Sequence, residues 1–383
     1  MTKKEELYSY YKSQFSQIEI DDNNIVRTYS SVKDEYDLLH NGVGIRDLSA
    51  FSKIFIHGKD SVSLLRRLAT NRIIDLNVLQ WVKTLFINFE GNIIDRALLM
   101  QFEDYFLLIG SNTEENKLFK WIKRFIIKED ISISNVAEDY SVFEIMGSQA
   151  TSYITMILGD KFDNLKDNNV LRVQVEDFFI HGIKIDDCGS IEKYIILVDS
   201  KNAIRTLEIM NENKSVFDFG MVGQDAYNIF RIENGIPVAP NELNDTVNPI
   251  EVYLKSEIST LKHDYIGHES VETKNDNLSR LVRVKFKTAV NFDKLPTTIF
   301  DENNKDVGIV TSFANADFIK SPIGLGFIDN NLILNGNLYY AADEKNKIEI
   351  NICEMKKIWK YIRKLEMMAQ LDYLVVKEYQ KML

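Results

Sequence analysis

Cysteine is almost missing from this chain of 383 residues: Cys188 and Cys353 are its only two, far apart and outside any Cys-x-x-Cys pair. That speaks against a disulfide framework or a cysteine-based zinc site, and it makes a reducing cytoplasm the expected setting. The five histidines are scattered without ligand spacing, so no metal is expected. Basic residues are in deficit, 46 against 57 acidic, for a net charge of −11. A general nucleic-acid binder concentrates positive charge to displace counterions, so this balance disfavours that class while leaving room for a local basic cleft. No run reaches about 18 apolar residues, so no membrane span is expected. The first residues, "MTKKEELYSYYKSQF", lack the apolar core of a signal peptide. Only five prolines and seventeen glycines punctuate the chain, with no internal repeat and no linker rich in Gly, Ser or Pro.

What is present is core-forming material. Apolar residues make up 45% and aromatics 11%, enough for two or three packed domains. Residues 3–16 show helical spacing, and "SVKDEYDLLHNGVGIRDLS" reads as a helix stopped near Asn41-Gly42. In "SKIFIHGKDSVSLLRRLATN", Ile54 and Ile56 alternate as in a strand, and Asp60 or Ser61 caps a helix carrying Val62, Leu64, Leu65 and Leu68. "WVKTLFINF" and "IIDRALLM" form a hairpin about Gly91-Asn92, with Asp95 inside an apolar run and Arg96 directly after it. "YFLLIGS", the helix "NTEENKLFKWIKRFI" and "SVFEIMG" complete an α+β layer. A second α/β stretch follows over roughly 150–250, with the strand "YIILVD" and the helices "SKNAIRTLEIMNE" and "GQDAYNIFRIENG". From about 281 to 351 short strands without helices predict a small barrel or sandwich. The last thirty residues read as a helix whose stripe of Ile358, Ile362, Leu365 and Ala369 suits packing onto the barrel, or else a homodimer contact.

Several motifs resemble, in order, those of the aminomethyltransferase (glycine-cleavage T-protein) superfamily. "GIRDLSAFSKIFIHGKDS" resembles its Asp-x-Ser segment and first central strand, here nearer to the folate domains of dimethylglycine and sarcosine oxidising enzymes. "NFEGNIID" is similar to the Gly-Gly-x-x-Asp hairpin, and "FEIMGSQA" to the strand ending in Gly-Pro-x-Ala. "FRIENGIPVAPNELNDTVNPIEVYL", "LKHDYIGHES" and "VGIVTS" resemble the Arg-Leu-Glu-x-Gly helix end with its Asn-Pro-Leu-Glu, the Lys-x-Asp-Phe-Ile-Gly-x-Glu segment and the barrel's Gly-x-Ile-Thr-Ser. The resemblance implies a three-domain cloverleaf around a central folate site. Residues 1–50 plus 150–275 would form the first α/β folate-binding domain, and 51–149 a ferredoxin-like α+β domain. The β-barrel would occupy 276–351 and the terminal helix 352–383. It also implies tetrahydrofolate as cofactor, transfer of an aminomethyl or methyl unit from a small-molecule donor, and a carrier protein as partner in the true T-proteins.

Asp95 matches the hairpin aspartate, so the resemblance makes it the catalytic carboxylate that orients the amine. The family's second aspartate is here Arg96; adjacent strand residues face opposite sides, so Arg96 should not contact substrate if Asp95 does. Asn112 matches an asparagine on the pterin, though a helix N-cap is an equal account of it. Where the family has Tyr-Thr-Gly-Glu-x-Gly-Tyr-Glu, this chain reads "DDCGSIEKYIILV", with Ile191 in the place of the pterin-holding glutamate. Glu192 could stand in through a bulge, and Tyr194 keeps the aromatic. The arginine at the start of the next helix is Tyr227, while Arg231 and Glu233 persist and read as an ion pair tying that helix to the next loop. The iron–sulfur maturation branch has a cysteine where this chain has Asp264, and a glutamine where it has His268. These departures favour a divergent demethylase or methyltransferase over a housekeeping T-protein. The other readings are a non-enzymatic folate-binding assembly or maturation factor, and a pocket that has exchanged folate for another ligand.

Overall fold

The computed structural model describes residues 2–21, 25–113, 116–162, 165, 168–186, 192–212, 216–273, 279–333, 338–353 and 355. The chain opens with α1 (Lys3–Gln14), the short pair β1 (Glu19–Ile20) and β2 (Val26–Thr28), α2 (Val32–Asn41) and β3 (Val43–Asp47). A second unit follows: β4 (Lys53–His57), α3 (Ser61–Leu68), β5 (Gln80–Ile87), β6 (Ile93–Gln101), β7 (Tyr105–Ile109), α4 (Lys117–Lys123) and β8 (Ser132–Asn135). Then come β9 (Tyr140–Met146), α5 (Ala150–Leu158), β10 (Leu171–Val175), β11 (Phe178–Asp186), β12 (Glu192–Asp199), α6 (Ala203–Glu212), β13 (Phe219–Met221) and α7 (Gln224–Asn234). The last described elements are α8 (His268–Thr273), β14 (Ser279–Phe286), β15 (Thr297–Asp301), β16 (Asp306–Ala314), β17 (Ile323–Asp329), β18 (Tyr339–Ala342) and β19 (Lys347–Cys353).

These strands make a six-stranded sheet in the order β10-β11-β12-β9-β3-β13, a five-stranded sheet in the order β5-β6-β7-β4-β8, and a closed barrel β14-β17-β16-β15-β18-β19. The α+β class and the C-terminal barrel thus agree with the strand spacing. In the five-stranded sheet, β4-α3-β6-β7-α4-β8 runs as a split β-α-β-β-α-β unit with β5 added at its edge. One boundary moves. β9 lies within the stretch 51–149, yet it pairs with β3 and β12 in the six-stranded sheet. Its side chains explain the move: Phe143 and Ile145 fill one core and Val142 another, so β9 is buried on both faces, as a central strand must be. The expected terminal helix over 352–383, with its stripe Ile358, Ile362, Leu365 and Ala369, lies outside the described residues.

The two open sheets pack face to face, and strand alternation assigns each residue a side. On β7, Phe106 and Leu108 face α3 and α4, while Leu107 and Ile109 face the other sheet. On β12, Tyr194, Ile196 and Val198 face α1, α5 and α6, while Ile195 and Leu197 face the five-stranded sheet. Local signals fix the helix ends. Thr2 and Glu5 close a reciprocal box at the start of α1, and Ser31 accepts from the Asp34 N–H at 3.1 Å on α2. Gly42 ends α2 as expected, but for a different reason: its φ of −133° is not left-handed. A Cβ there would sit 2.2 Å from the Asp218 carbonyl oxygen, so the close approach requires glycine. Asp60 stands at the start of α3 without capping it, accepting instead from the Asp130 N–H at 2.8 Å.

Glu35, on α2, is fully buried and joins three segments. Its carboxylate accepts from the Thr28 hydroxyl at 2.8 Å, the Tyr29 and Ser30 N–H groups at 2.6 and 2.7 Å, and the Gly223 N–H at 2.7 Å. Charge-assisted bonds of this kind are about twice as strong as neutral ones, and the N–H groups have no water to fall back on. Glu35→Gln should lower the unfolding free energy by about 1–3 kcal/mol in urea denaturation. An unchanged midpoint would show that the turn at 28–30 and the start of α7 hold without it.

Candidate functional site

Where the two open sheets meet α7 and the segment 236–244, they enclose a cavity of about 870 Å³. That is the size of a typical small-molecule site, about 300–1,000 Å³. Among the described residues the barrel supplies none of the lining, and its part is to brace the segment that does. Ile94, Ile109, Ile195 and Phe51 make an apolar wall, and Lys83, Arg96 and Lys117 bring cations to the five-stranded side.

The six-stranded side carries a charged group that strand pairing builds. Arg46 on β3 and Glu144 on β9 are directly opposite in register, and the Arg46 Nη1 donates to Glu144 Oε2. Lys193 on β12 places its Nζ 3.6 Å from Glu144 Oε1. All three are nearly buried and all line the cavity. The Arg46 guanidinium carbon lies 3.2 Å from the centroid of the Tyr227 ring on α7. Tyr227 stands where the resemblance has an arginine, so a guanidinium is present beside that position after all, supplied from β3. None of Arg46, Glu144 and Lys193 is marked as a site residue by the sequence motifs. The available signal is a charge among apolar residues in "FEIMG", and a charge beside one of opposite sign at the end of an apolar run in "GIRDL" and "EKYIIL".

The expected site residues fare unequally. Asn112 and Tyr227 do line the cavity. Asp95 does not: it is 1% exposed and lies behind Gly110 and Ser111, where a Cβ on Gly110 would come within 2.7 Å of its Oδ2. Its carboxylate accepts from the Arg96 N–H at 2.8 Å and the Ser111 N–H at 3.1 Å. Burial pushes its pKa up to about 6, against the pull of the Ser111 and Arg96 hydrogen bonds and the Lys117 charge. Alternation therefore works the opposite way from the expectation, with Arg96 on the wall and its neighbour behind it. Arg96 Nε lies 3.0 Å from both carboxylate oxygens of Glu257, and Nη2 closes the clamp.

Tyr194 is a second correction. It points into the helix-covered core, sharing a hydrogen bond of 2.8 Å with Thr151, while its strand neighbours Lys193 and Ile195 take the cavity side. Matching the family's aromatic by type places it on the wrong face of β12. Of Glu192 the structure describes the place at the start of β12, opposite Asp186; its side chain, like Ile191, lies outside the described residues. Arg231 does tie α7 to the next loop, but through Glu242 at 2.9 Å. Glu233 instead accepts from the Tyr36 hydroxyl at 2.7 Å and lies 3.2 Å from His40. Asp264 pairs with Arg66 at 2.5 Å on an exposed surface, far from any role in the cavity wall.

The same architecture and sequence pattern occur in known proteins. Residues 7–262 match the model of a family described as the GCVT N-terminal domain. The chain is 24% identical over 318 residues to an aminomethyltransferase of Thermoanaerobacter pseudethanolicus, covering 81% of this chain and 84% of that one. It is 24% identical over 349 residues to an aminomethyltransferase of Staphylococcus epidermidis, covering 87% and 91%. Among solved structures, the glycine cleavage system aminomethyltransferase T from Bartonella henselae superposes with a TM-score of 0.78 at 16% identity, over 92% of this chain and 96% of that one. Among the described residues no helix is long and apolar enough to cross a membrane.

Proposed function

This chain belongs to the GCVT N-terminal domain family, and from that membership we propose that it is a tetrahydrofolate-dependent one-carbon transferase, moving an aminomethyl or methyl unit. The observation that carries the reading is the cavity itself, whose size and mixed lining suit a flat heteroaromatic ring with an anionic tail. Apolar walls from Ile94, Ile109, Ile195 and Phe51 suit the ring, and the ammonium groups of Lys83 and Lys117 suit the glutamate carboxylates. Tetrahydrofolate, when bound, supplies the nitrogen that accepts the carbon unit. Asn112 can donate and accept at one polar edge of a ring. Asp95 holds the Ser111 N–H and so fixes the loop on which Asn112 sits, which makes it a positioning residue. The donor is a small molecule carrying a methyl or aminomethyl group, free or on a carrier protein.

Calorimetric titration with tetrahydrofolate tests this. Wild type should bind in the micromolar range, and Asn112→Ala and Lys117→Ala should each weaken binding about 10-fold, as expected when one hydrogen bond to a ligand is removed. No binding by wild type would overturn the folate reading. A second reading, a folate-binding assembly factor without turnover, is favoured by one observation: the Asp95 carboxylate is withdrawn from the wall. Mass spectrometry of tetrahydrofolate after incubation with N-methyl and aminomethyl donors separates the two, since only the transferase leaves a one-carbon adduct.

A further inference from the structure

Among the described residues Arg46 is the one guanidinium on the six-stranded side of the cavity, and its bonding is incomplete. Its side chain is 8% exposed, and among the described residues it donates a hydrogen bond only to Glu144. A guanidinium carries five N–H donors in a planar fork. Arg46 is among the residues that line the cavity, where an acceptor oxygen can meet the donors that Glu144 leaves unused. The group is also held in place before any ligand arrives. Glu144 fixes one edge from the neighbouring strand, and the Tyr227 ring lies against the guanidinium face at 3.2 Å. Arg96 differs, being clamped along its Nε and Nη2 by Glu257. A planar donor fork, fixed on two sides and facing a cavity, is a receptor for an oxygen acceptor.

We propose that Arg46 reads an oxygen acceptor of the bound ligand, with Glu144 and Tyr227 as positioning residues. The proposal rests on the folate reading above, and names within it a specificity residue that the family resemblance did not supply. Tetrahydrofolate offers acceptors of this chemistry at both ends, the ring carbonyl of its pterin and, on its 4-aminobenzoylglutamate part, the amide carbonyl and the carboxylates. Lysine keeps the charge for Glu144 but has neither the fork nor the flat face, so Arg46→Lys is the informative variant. Glu144→Gln keeps the side-chain volume and loosens the fork's anchor.

The test is calorimetry with tetrahydrofolate, tetrahydropterin and 4-aminobenzoylglutamate on wild type and both variants, with thermal unfolding confirming that each is folded. Arg46→Lys should weaken tetrahydrofolate about 10- to 100-fold, the loss expected of a charge-assisted hydrogen bond. Glu144→Gln should weaken it in the same sense by a smaller factor. If the pterin carbonyl is the acceptor, tetrahydropterin weakens with it and 4-aminobenzoylglutamate does not; if an oxygen of the 4-aminobenzoylglutamate part is, the pattern reverses. Equal weakening of both fragments would mean general distortion and would overturn the proposal, as would unchanged affinity for tetrahydrofolate. Failure of wild type to bind tetrahydrofolate overturns the folate reading and this inference together, whereas intact wild-type binding that Arg46→Lys leaves untouched overturns the inference alone.

Discussion

Replacing Arg231 with methionine should cost about 3–5 kcal/mol of unfolding free energy, the typical loss when one partner of a buried ion pair is removed. Arg231 is 1% exposed and Glu242 fully buried, so neither can recover its partner's contribution from water. The Arg231 Nη1 donates to Glu242 at 2.9 Å, Nη2 to the Ser312 hydroxyl at 2.7 Å, and Nε to Asn228 at 2.8 Å. Glu242 also accepts from the Thr311 and Ser312 hydroxyls of β16 at 2.7 and 2.6 Å, and from the Val238 N–H at 3.2 Å. One pair thus joins α7, the barrel and the segment 236–244. In Arg231→Met the Glu242 charge stays behind without its cation. Glu242→Gln should lose a similar amount, and the double variant clearly less than the sum, because no charge is then stranded. Urea denaturation of the four proteins reads this directly. Additivity within about 0.5 kcal/mol would refute coupling of the pair. Because Val238 and Leu243 line the cavity, the single variants should also weaken tetrahydrofolate.

Asp95→Asn should behave in the opposite direction, stabilising the protein at neutral pH. Burial raises the Asp95 pKa from 3.8 to about 6. A carboxyl whose pKa is raised by folding favours the folded state while protonated. That contribution is complete below pH 3.8 and is lost as the pH rises through 6. The loss by pH 7 is about 3 kcal/mol, at about 1.4 kcal/mol for each unit of pKa. Asparagine keeps an oxygen for the Ser111 and Arg96 N–H groups and never ionises. The variant should therefore be more stable than wild type by about 2–3 kcal/mol at pH 7, with the gap closing towards pH 4. Denaturation curves at pH 4, 5, 6 and 7 measure it. A gap that does not change with pH would mean that Asp95 is ionised throughout and is solvated far better than its surroundings imply.

Much of the architecture is legible in the sequence because element type follows from local pattern. The short strands after residue 281 do close a barrel, and the β5–β6 hairpin forms, but its turn is closed by the Gly91 N–H on the Asn88 carbonyl and so centres on Phe89-Glu90, not on Gly91-Asn92. The assignment of faces is what local pattern misses. Matching by residue type points to Asp95 and Tyr194, and each lies one position from the residue that meets the cavity. On a strand, one position reverses the side. Which side is the site depends on what packs against each face, and that is decided by segments far apart in sequence. The same limit hides Arg46 and Glu144. Nothing in either strand points to the other residue, and only the pairing of β3 with β9 makes them a unit. Glu35 escapes for a related cause: its donors come from 28–30 and from Gly223, at opposite ends of a domain.

The alternation that misleads the residue assignment also divides labour within single strands. On β3, β9 and β12, positions 46, 144 and 193 meet the cavity while 45, 143, 145, 194 and 196 hold the core. Substitutions on the first set change what can be bound and leave the apolar core in place, although Arg46 and Glu144, as a buried pair, are best exchanged together. Such a scaffold can drift in ligand preference while its core stays the same, one strand face evolving as a vocabulary and the other as grammar. A chain 16% identical to a T-protein that still superposes over 92% of its length is what that separation permits. Ligand preference within such chains should therefore track three or four wall positions more closely than overall identity.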